Sequence, residues 1–272
     1  MSAEFDSPEV REAVTKLRLF LNTESGKISS MINEALTNKY ATKADIRKIN
    51  TYIKKAKNSF DRMLAGFSVA IRKIVNESWS AGIDDVVTAL AKIPTKGMYN
   101  SQTVPLMIRH AIADFSEALT SAQKNFNRFI RRTQQTLISE AEVTTAIARG
   151  LGVEGTTEAA KKLLVKEFGK ISHGNVININ GRKYQVDKYA EMVARTRARE
   201  ANSQAVVKSA ADFGQDLVQV SSHNTTSKIC QEYEGRIFSI SGRSDKYPKL
   251  EATAPFHPNC LHVITVYIER AA

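Results

Sequence analysis

Four side chains near the C-terminus have the chemistry to bind a metal ion. Cys230 stands apart, whereas His257, Cys260 and His262 follow one another closely in a turn-rich segment. Two cysteines and two histidines readily bind a tetrahedral zinc ion, and such a cross-link would stabilise a small sheet. The favoured interpretation is that these residues have ordinary packing and hydrogen-bonding roles. We therefore expect no cofactor, with zinc at these four residues as the alternative.

The same segment offers two further chemistries, both of which the sequence disfavours. The N-terminus has no secretory signal pattern, and the thiols of a protein made in a cytoplasm stay reduced, which argues against a Cys230–Cys260 disulfide. Cys260 and His257 could serve as the nucleophile and the general base of a catalytic pair, but no acid or amide in the motif clearly orients the histidine. Ser221 and His223 lack the G-x-S-x-G elbow of a hydrolase. We predict that the protein is not an enzyme.

Positive charge is concentrated in one stretch of the chain. The 272 residues have a formal net charge of +11. The stretch from Lys39 to Lys73 contains ten basic residues and only two acidic residues, Asp45 and Asp61. A basic helix of this density could follow a phosphate backbone. The favoured interpretation, however, is that these residues form a solvent-exposed helix face opposite an apolar stripe. The candidate nucleic-acid contacts are Lys43, Arg47, Lys48, Lys54, Lys55 and Lys57.

Long helices must position these basic residues. Ser7 and Pro8 predict a helix start, with an interruption at Ser25–Gly26. Two later stretches repeat apolar residues at alternating steps of three and four, which predicts two long helices. These pack on each other as a coiled-coil-like antiparallel hairpin, or one of them docks on another chain. The first seam is Ile46, Ile49, Ile53, Ala56, Phe60, Met63, Phe67, Ala70 and Ile74; the second is Ile112, Phe115, Leu119, Ala122, Phe126, Phe129, Thr133 and Leu137.

The pattern changes at the glycines between Gly150 and Gly155. Their G-x-G-x-x-G spacing follows a helical pattern rather than a strand, so we interpret them as an interdomain hinge, not a dinucleotide site. We predict a helical region at 1–150 and an α+β domain at 151–272, in which one helix covers a small antiparallel sheet. Its predicted elements are a helix at Thr157–Phe168, a hairpin turn at Asn180–Gly181, a helix from Asp187 to Phe213, and strands at Leu217–Val220, Arg236–Ile240 and Val263–Ile268.

A series of short motifs in this second region resembles a known family. In order they are EMVARTRAREA, DLVQVSSH, C-x-x-Y-E-G-R-I-F-S-I-S-G, YPKL and HPNC-x-H, between Glu191 and His262. This series is similar to the C-terminal domain of the tailed-bacteriophage minor capsid protein 2 family, which is related to the Mu F-like head morphogenesis proteins. The chain departs from the pattern in having one cysteine, Cys230, where such proteins often carry a C-x-x-C pair.

The resemblance implies a structural component of a phage head. It implies partners at the portal or in the major capsid shell, contact with packaged double-stranded DNA, location in the virion and assembly in the host cytoplasm. No apolar run approaches the ~18 to 20 residues that span a membrane, so we expect no membrane span. The alternative function is a stand-alone basic nucleic-acid-binding protein with a small, zinc-stabilised C-terminal domain.

Overall fold

A computed structural model of the chain describes residues 7–37, 43–147, 176–179 and 182–269. The helices are α1 (Pro8–Thr37), α2 (Lys43–Leu90), α3 (Lys96–Tyr99), α4 (Thr103–Ile147), α5 (Val186–Asp212) and α6 (Lys228–Gln231), and the strands are β1 (Val176–Ile179), β2 (Arg182–Gln185), β3 (Leu217–Val220), β4 (Ile237–Ser239) and β5 (Ile264–Val266). Long helices followed by a small antiparallel sheet with a helix confirm the predicted α+β class. The predicted helix at Thr157–Phe168 and the glycine-rich hinge lie outside the described residues. No helix in the described ranges is both long and apolar enough to cross a membrane.

Helix α1 begins as predicted but is not interrupted. The Val10 N–H donates to Ser7 Oγ at 3.3 Å, so Ser7 caps the helix in front of Pro8. The predicted break at Ser25–Gly26 is wrong, because the helix continues through both residues to Thr37. The buried stripe continues on both sides of this point, and Ser25 belongs to it. Burial of this face outweighs the low helix propensity of glycine.

The two long seams are buried over most of their described length. Ala56, Phe60, Met63 and Phe67 of α2 are buried, and the next fully buried position is Ile71 instead of the predicted Ala70. A step of four after Phe67 follows the 3.6-residue period of an ordinary helix, since a strict heptad drifts around a straight helix. The buried seam residues of α4 are Phe115, Leu119, Ala122, Phe126 and Phe129. Coiled-coil packing of α2 and α4 stays a prediction.

The chain forms two compact units built from separate stretches of sequence. The first contains the part of α1 up to Leu17, Phe67–Asp114 and the described residues from Ala190 onward, and the second contains Arg18–Gly66 and the described residues from Phe115 to Tyr189. Residues of both long helices therefore contribute to each unit. The predicted domain boundary near residue 150 falls outside the described residues and stays a prediction.

The core of the first unit joins helix residues from the N-terminal half to the small sheet. Val86 of α2 packs with a buried cluster on α5, on the three strands and on one loop: Val206, Ala210, Val218, Val220, Phe238, Ala254 and Ile264. The single tryptophan, Trp79, is also buried and donates its indole N–H to the Met98 carbonyl at 3.0 Å. This bond holds α3, which lies in the segment connecting α2 to α4, against α2.

The sheet of the first unit is antiparallel with β3 in the centre, in the order β4-β3-β5. Val218 pairs with Phe238 on one side and with Val266 on the other. All three strands lie within the ranges predicted from sequence. In the second unit, β1 pairs with β2 so that Ile179 faces Arg182, which confirms the predicted hairpin, although the turn residues Asn180 and Gly181 lie outside the described residues.

Helix α5 presents a face of small residues that permits a close helix contact. It carries alanines at successive turns, including the buried Ala198, Ala201 and Ala205. A Cβ atom on Gly82 of α2 would lie 2.5 Å from the Asn202 carbonyl oxygen. The helix ends at Asp212, next to the predicted end at Phe213, and Gly214 follows with a φ of +77°, the left-handed conformation of a glycine helix stop.

The second unit contains a buried carboxylate paired across helices. Glu24 of α1 is only 3% exposed, and Arg62 of α2 donates to its Oε2 through Nε at 3.0 Å and Nη2 at 2.9 Å. Lys27 Nζ lies 2.5 Å from the other carboxylate oxygen. In the same unit, the rings of Phe60 and Phe126 meet edge to face with centroids 6.5 Å apart, so the two predicted seams contact each other within the chain.

Candidate functional site

Three of the four predicted metal ligands converge in the first unit. Cys230 lies on the short helix α6, while Cys260 and His262 precede β5. The Cys230 and Cys260 sulfurs are 3.7 Å apart, and Cys260 Sγ lies 3.4 Å from His262 Nδ1. All three ligand atoms lie within 4.8 Å of one another, and each residue is buried. The two cysteines are free thiols, and burial raises the pKa of Cys230.

His257, the fourth predicted ligand, does not join this cluster. Its Nδ1 lies 2.8 Å from the carbonyl oxygen of Pro258. The Cys260 N–H donates to the His257 carbonyl at 3.0 Å, and Asn259 has a φ of 65°, so HPNC is a tight turn, as predicted. This turn brings Cys260 to the cluster while the His257 ring stays at its edge.

A carboxylate that was not among the predicted site residues lies beside the cluster. Glu234 Oε1 is 3.4 Å from His262 Nε2, the ring nitrogen that does not contact Cys260. Glu234 accepts hydrogen bonds from the backbone N–H groups of His223 and Thr225, and these bonds lower the pKa of its carboxyl group. Burial is the largest influence on His262 and lowers its pKa. The only sequence signal was an acid four residues after Cys230.

Ser221 and His223 form a contact that could be mistaken for part of a catalytic triad. Ser221 Oγ lies 2.8 Å from His223 Nε2, and it also accepts the Val263 N–H at 3.1 Å. Among the described residues, no carboxylate forms a hydrogen bond with the His223 ring. The nearby Glu234 carboxylate accepts the backbone N–H of His223 instead. The Ser221 hydroxyl therefore joins the ends of β3 and β5, and nothing in its surroundings orients the histidine as a base.

The predicted nucleic-acid contacts on α2 do not share one face. The side chains of Lys43, Arg47 and Lys48 lie outside the part of the chain that the structure describes. Lys54 and Lys55 are exposed, and Lys57 is exposed but paired with Asp61 at 2.6 Å. At 100° per residue, Lys54, Lys55 and Lys57 spread over about 160° of the helix circumference. Part of the local charge is also neutralised, since Arg62 pairs with Glu24.

Helix α4 carries a narrower basic stripe, and none of its residues was among the predicted nucleic-acid contacts. Lys124, Arg128 and Arg131 are exposed and follow one another at steps of four and three. This spacing places them within about 60° of the helix circumference, opposite the buried Phe126 side. We call these three residues the α4 stripe. The spacing of four and three residues in the sequence indicates that these cations share one helix face. The number of charges per stretch of sequence had instead favoured the denser basic segment in α2.

Glu191 and Arg195 form a local ion pair on α5. Arg195 Nη2 lies 3.1 Å from Glu191 Oε1, one helical turn away on α5. Arg199, one further turn along, donates to the carbonyl oxygen of Cys260 at 2.6 Å. The motif EMVARTRAREA therefore has a structural role: it holds the HPNC turn against α5.

Comparison with known proteins identifies the family of the chain. Residues 24–271 match the sequence model of the family described as phage minor capsid protein 2. The match includes most of the helical half, beyond the motifs between Glu191 and His262. Comparisons with curated proteins and with solved structures gave no significant match. Because the family match covers nearly the whole chain and agrees with the ordered motifs between Glu191 and His262, the chain belongs to the phage minor capsid protein 2 family.

Proposed function

We propose that this minor capsid protein is a non-enzymatic structural component of the phage head. It is located at the portal or on the inner surface of the major capsid shell. Basic side chains of α2 and α4 contact packaged DNA. Family membership supports the place in the capsid. The observation that carries the DNA contact is the α4 stripe, in which three exposed cations lie on one side of a helix.

The geometry of the stripe suits a phosphate backbone. Arg131 lies seven positions after Lys124, which is a rise of about 10 Å along the helix, and Arg128 lies between them. Regularly spaced cations on a convex helix can contact successive phosphates without reading base sequence. Lys54 and Lys55 are further exposed cations of the same unit that make no ion pair with another described residue. We therefore expect binding that is independent of sequence and sensitive to salt.

The DNA contact is tested by measuring affinity for duplex DNA against salt concentration. Each phosphate contact contributes about 0.9 to the slope of log K against log salt. Replacing Lys124, Arg128 and Arg131 by glutamine should lower the magnitude of the slope by up to about 3. The matched control replaces Lys92, Lys96 and Arg109, three exposed cations of the first unit, by glutamine and should leave the slope nearly unchanged. Equal effects of the two triple variants would contradict the assignment.

The place in the head is tested separately. Cross-linking of purified particles, followed by mass spectrometry, should recover this chain joined to the portal or to the major capsid protein. Absence of the chain from both mature particles and assembly intermediates would contradict the structural role. In that case, DNA binding by the isolated protein would favour the alternative of a stand-alone nucleic-acid-binding protein.

A further inference from the structure

We propose that Cys230 Sγ, Cys260 Sγ and His262 Nδ1 are three protein ligands of a tetrahedral zinc ion, and that Glu234 orients His262 from the opposite side of its ring. The sequence had placed His257 in this set, and the structure assigns it no ligand role. The fourth position of the ion is left to water or another small ligand.

The spacing of the ligand atoms supports this site. Two sulfurs bound to one tetrahedral zinc at about 2.3 Å lie about 3.8 Å apart, and a sulfur and an imidazole nitrogen about 3.5 Å apart. The corresponding distances here are 3.7 Å between Cys230 and Cys260 and 3.4 Å between Cys260 and His262. These two distances match a shared zinc ion, and the third pair, Cys230 and His262, also has its ligand atoms within 4.8 Å.

The charge of the site also suits a buried divalent ion. All three ligand residues are buried, so an uncompensated charge here would be costly. Two thiolates neutralise the 2+ charge of zinc, and the two thiol protons are released to solvent when the ion binds. A neutral His262 adds no charge. The ion, the two thiolates and the neutral imidazole therefore carry no net charge together.

Glu234 selects the imidazole form that this site needs. Binding through Nδ1 requires the ring proton on Nε2, and Glu234 Oε1 lies 3.4 Å from that atom. Among the described residues, His262 Nε2 has no well-formed hydrogen bond, and tightening this contact would supply one. The backbone N–H groups of His223 and Thr225 hold the carboxylate in place. In many zinc sites a carboxylate accepts the other ring N–H of a histidine ligand and so fixes its orientation.

A disulfide explains the cluster less well. The two sulfurs would have to approach from 3.7 Å to about 2.05 Å, and the disulfide would give no role to His262 Nδ1 or to Glu234. Zinc uses all of these groups. It would also connect α6 to the segment that precedes β5, across a sheet whose described strands have only three or four residues. Short strands bury little surface, so an added cross-link would contribute much of their stability.

Cobalt titration of the reduced full-length protein tests the site. We expect one Co²⁺ to bind per chain, with the intense visible bands of tetrahedral cobalt and a thiolate-to-cobalt charge-transfer band in the near ultraviolet. One equivalent of zinc should displace both signals. Cobalt that stays octahedral, or that binds without a thiolate band, would overturn the proposal, as would reduced wild-type protein with two free thiols that binds no metal.

Variants then assign the ligands. Cys260→Ser and His262→Gln should each abolish the tetrahedral cobalt spectrum, whereas the matched control His257→Gln should retain one ion per chain. Glu234→Gln should keep the spectrum but weaken affinity about 10- to 100-fold in competition with a chelator. Loss of the ion in His257→Gln but not in His262→Gln would contradict the ligand assignment. Because the cobalt titration uses wild-type protein, a variant that fails to fold leaves the test intact.

Discussion

Gly82 of α2 lies so close to Asn202 of α5 that a methyl group in place of its α-hydrogen would be 2.5 Å from the Asn202 carbonyl oxygen. Ala205 Cβ would be 2.9 Å from the same methyl group. The carbonyl belongs to a helix backbone and Ala205 has no flexible side chain, so neither neighbour can move away easily. This contact therefore requires glycine on α2.

We expect Gly82→Ala to lower the free energy of unfolding by about 1–3 kcal/mol, because the two helices must separate to admit the methyl group. The matched control is Gly26→Ala, since nothing lies within 4 Å of the added Cβ at this helical position. That change should raise stability by about 0.5–1 kcal/mol through helix propensity. Urea unfolding measures both values, and a stabilising Gly82→Ala would show that the close approach is not required.

The ion pair between the buried Glu24 and the half-exposed Arg62 should be important for stability. Burial raises the pKa of Glu24, but hydrogen bonds from Arg62, Lys27 and Ser59 outweigh it and lower the pKa overall. Glu24→Gln should reduce the free energy of unfolding by about 1–3 kcal/mol at pH 7, because Arg62 loses its charged partner. The control Asp61→Asn removes the exposed pair with Lys57 and should cost less than about 0.5 kcal/mol.

The same pair should contribute to acid sensitivity. A lowered pKa in the folded state means that the carboxylate stabilises the protein above the ordinary pKa of glutamate, about 4.3. This contribution is lost as the pH falls through the lower folded pKa. The stabilities of wild type and Glu24→Gln should therefore converge on acidification below about pH 4. A difference that stays constant from pH 7 to pH 3 would show that charge on Glu24 is not the cause.

Asp216 should hold the turn that follows β4. Its carboxylate accepts the Ser239 hydroxyl at 2.5 Å and the Ser241 N–H at 2.7 Å. Asp216→Ala should increase hydrogen exchange in the segment around Ser241 about tenfold, since it removes roughly 1.4 kcal/mol of local hydrogen bonding. Asp245→Ala, an exposed acid of the same loop, is the control and should leave exchange there unchanged.

Trp79 provides a test of the connection between α2 and α4. Trp79→Phe keeps most of the buried ring but loses the hydrogen bond to Met98, and it should cost about 1–2 kcal/mol because the carbonyl loses its partner. Trp79→Ala should cost about 3–5 kcal/mol through the cavity it leaves. Circular dichroism during urea unfolding compares them, since both variants lack the chain's only tryptophan. Equal costs would indicate that packing of the ring contributes little.

Local sequence signals determined most of the secondary structure. The Ser7–Pro8 start of α1, the Gly214 end of α5, the β1–β2 hairpin and the three strands of the sheet were all predicted. Each depends on interactions between residues a few positions apart or on a simple alternation of apolar residues. The ordered motifs from Glu191 to His262 also indicated the family, which the match over residues 24–271 confirms.

Tertiary packing decided the points at which these local signals were wrong or silent. Helix α1 continues through Gly26 because the buried face on both sides outweighs one weak position. Ile71 replaces Ala70 in the buried stripe because the helix keeps its own period instead of a heptad.

The candidate metal site was only partly determined by the sequence. The spacing of Cys260 and His262 allowed zinc binding as the alternative to packing roles, but only the fold brings Cys230 to within 3.7 Å of Cys260 and places Glu234 behind His262. It also leaves His257 at the edge of the turn. Arg62 similarly meets Glu24 from 38 residues away. Such contacts depend on how whole elements pack, since residues far apart in the chain meet only when the intervening segments have found their places.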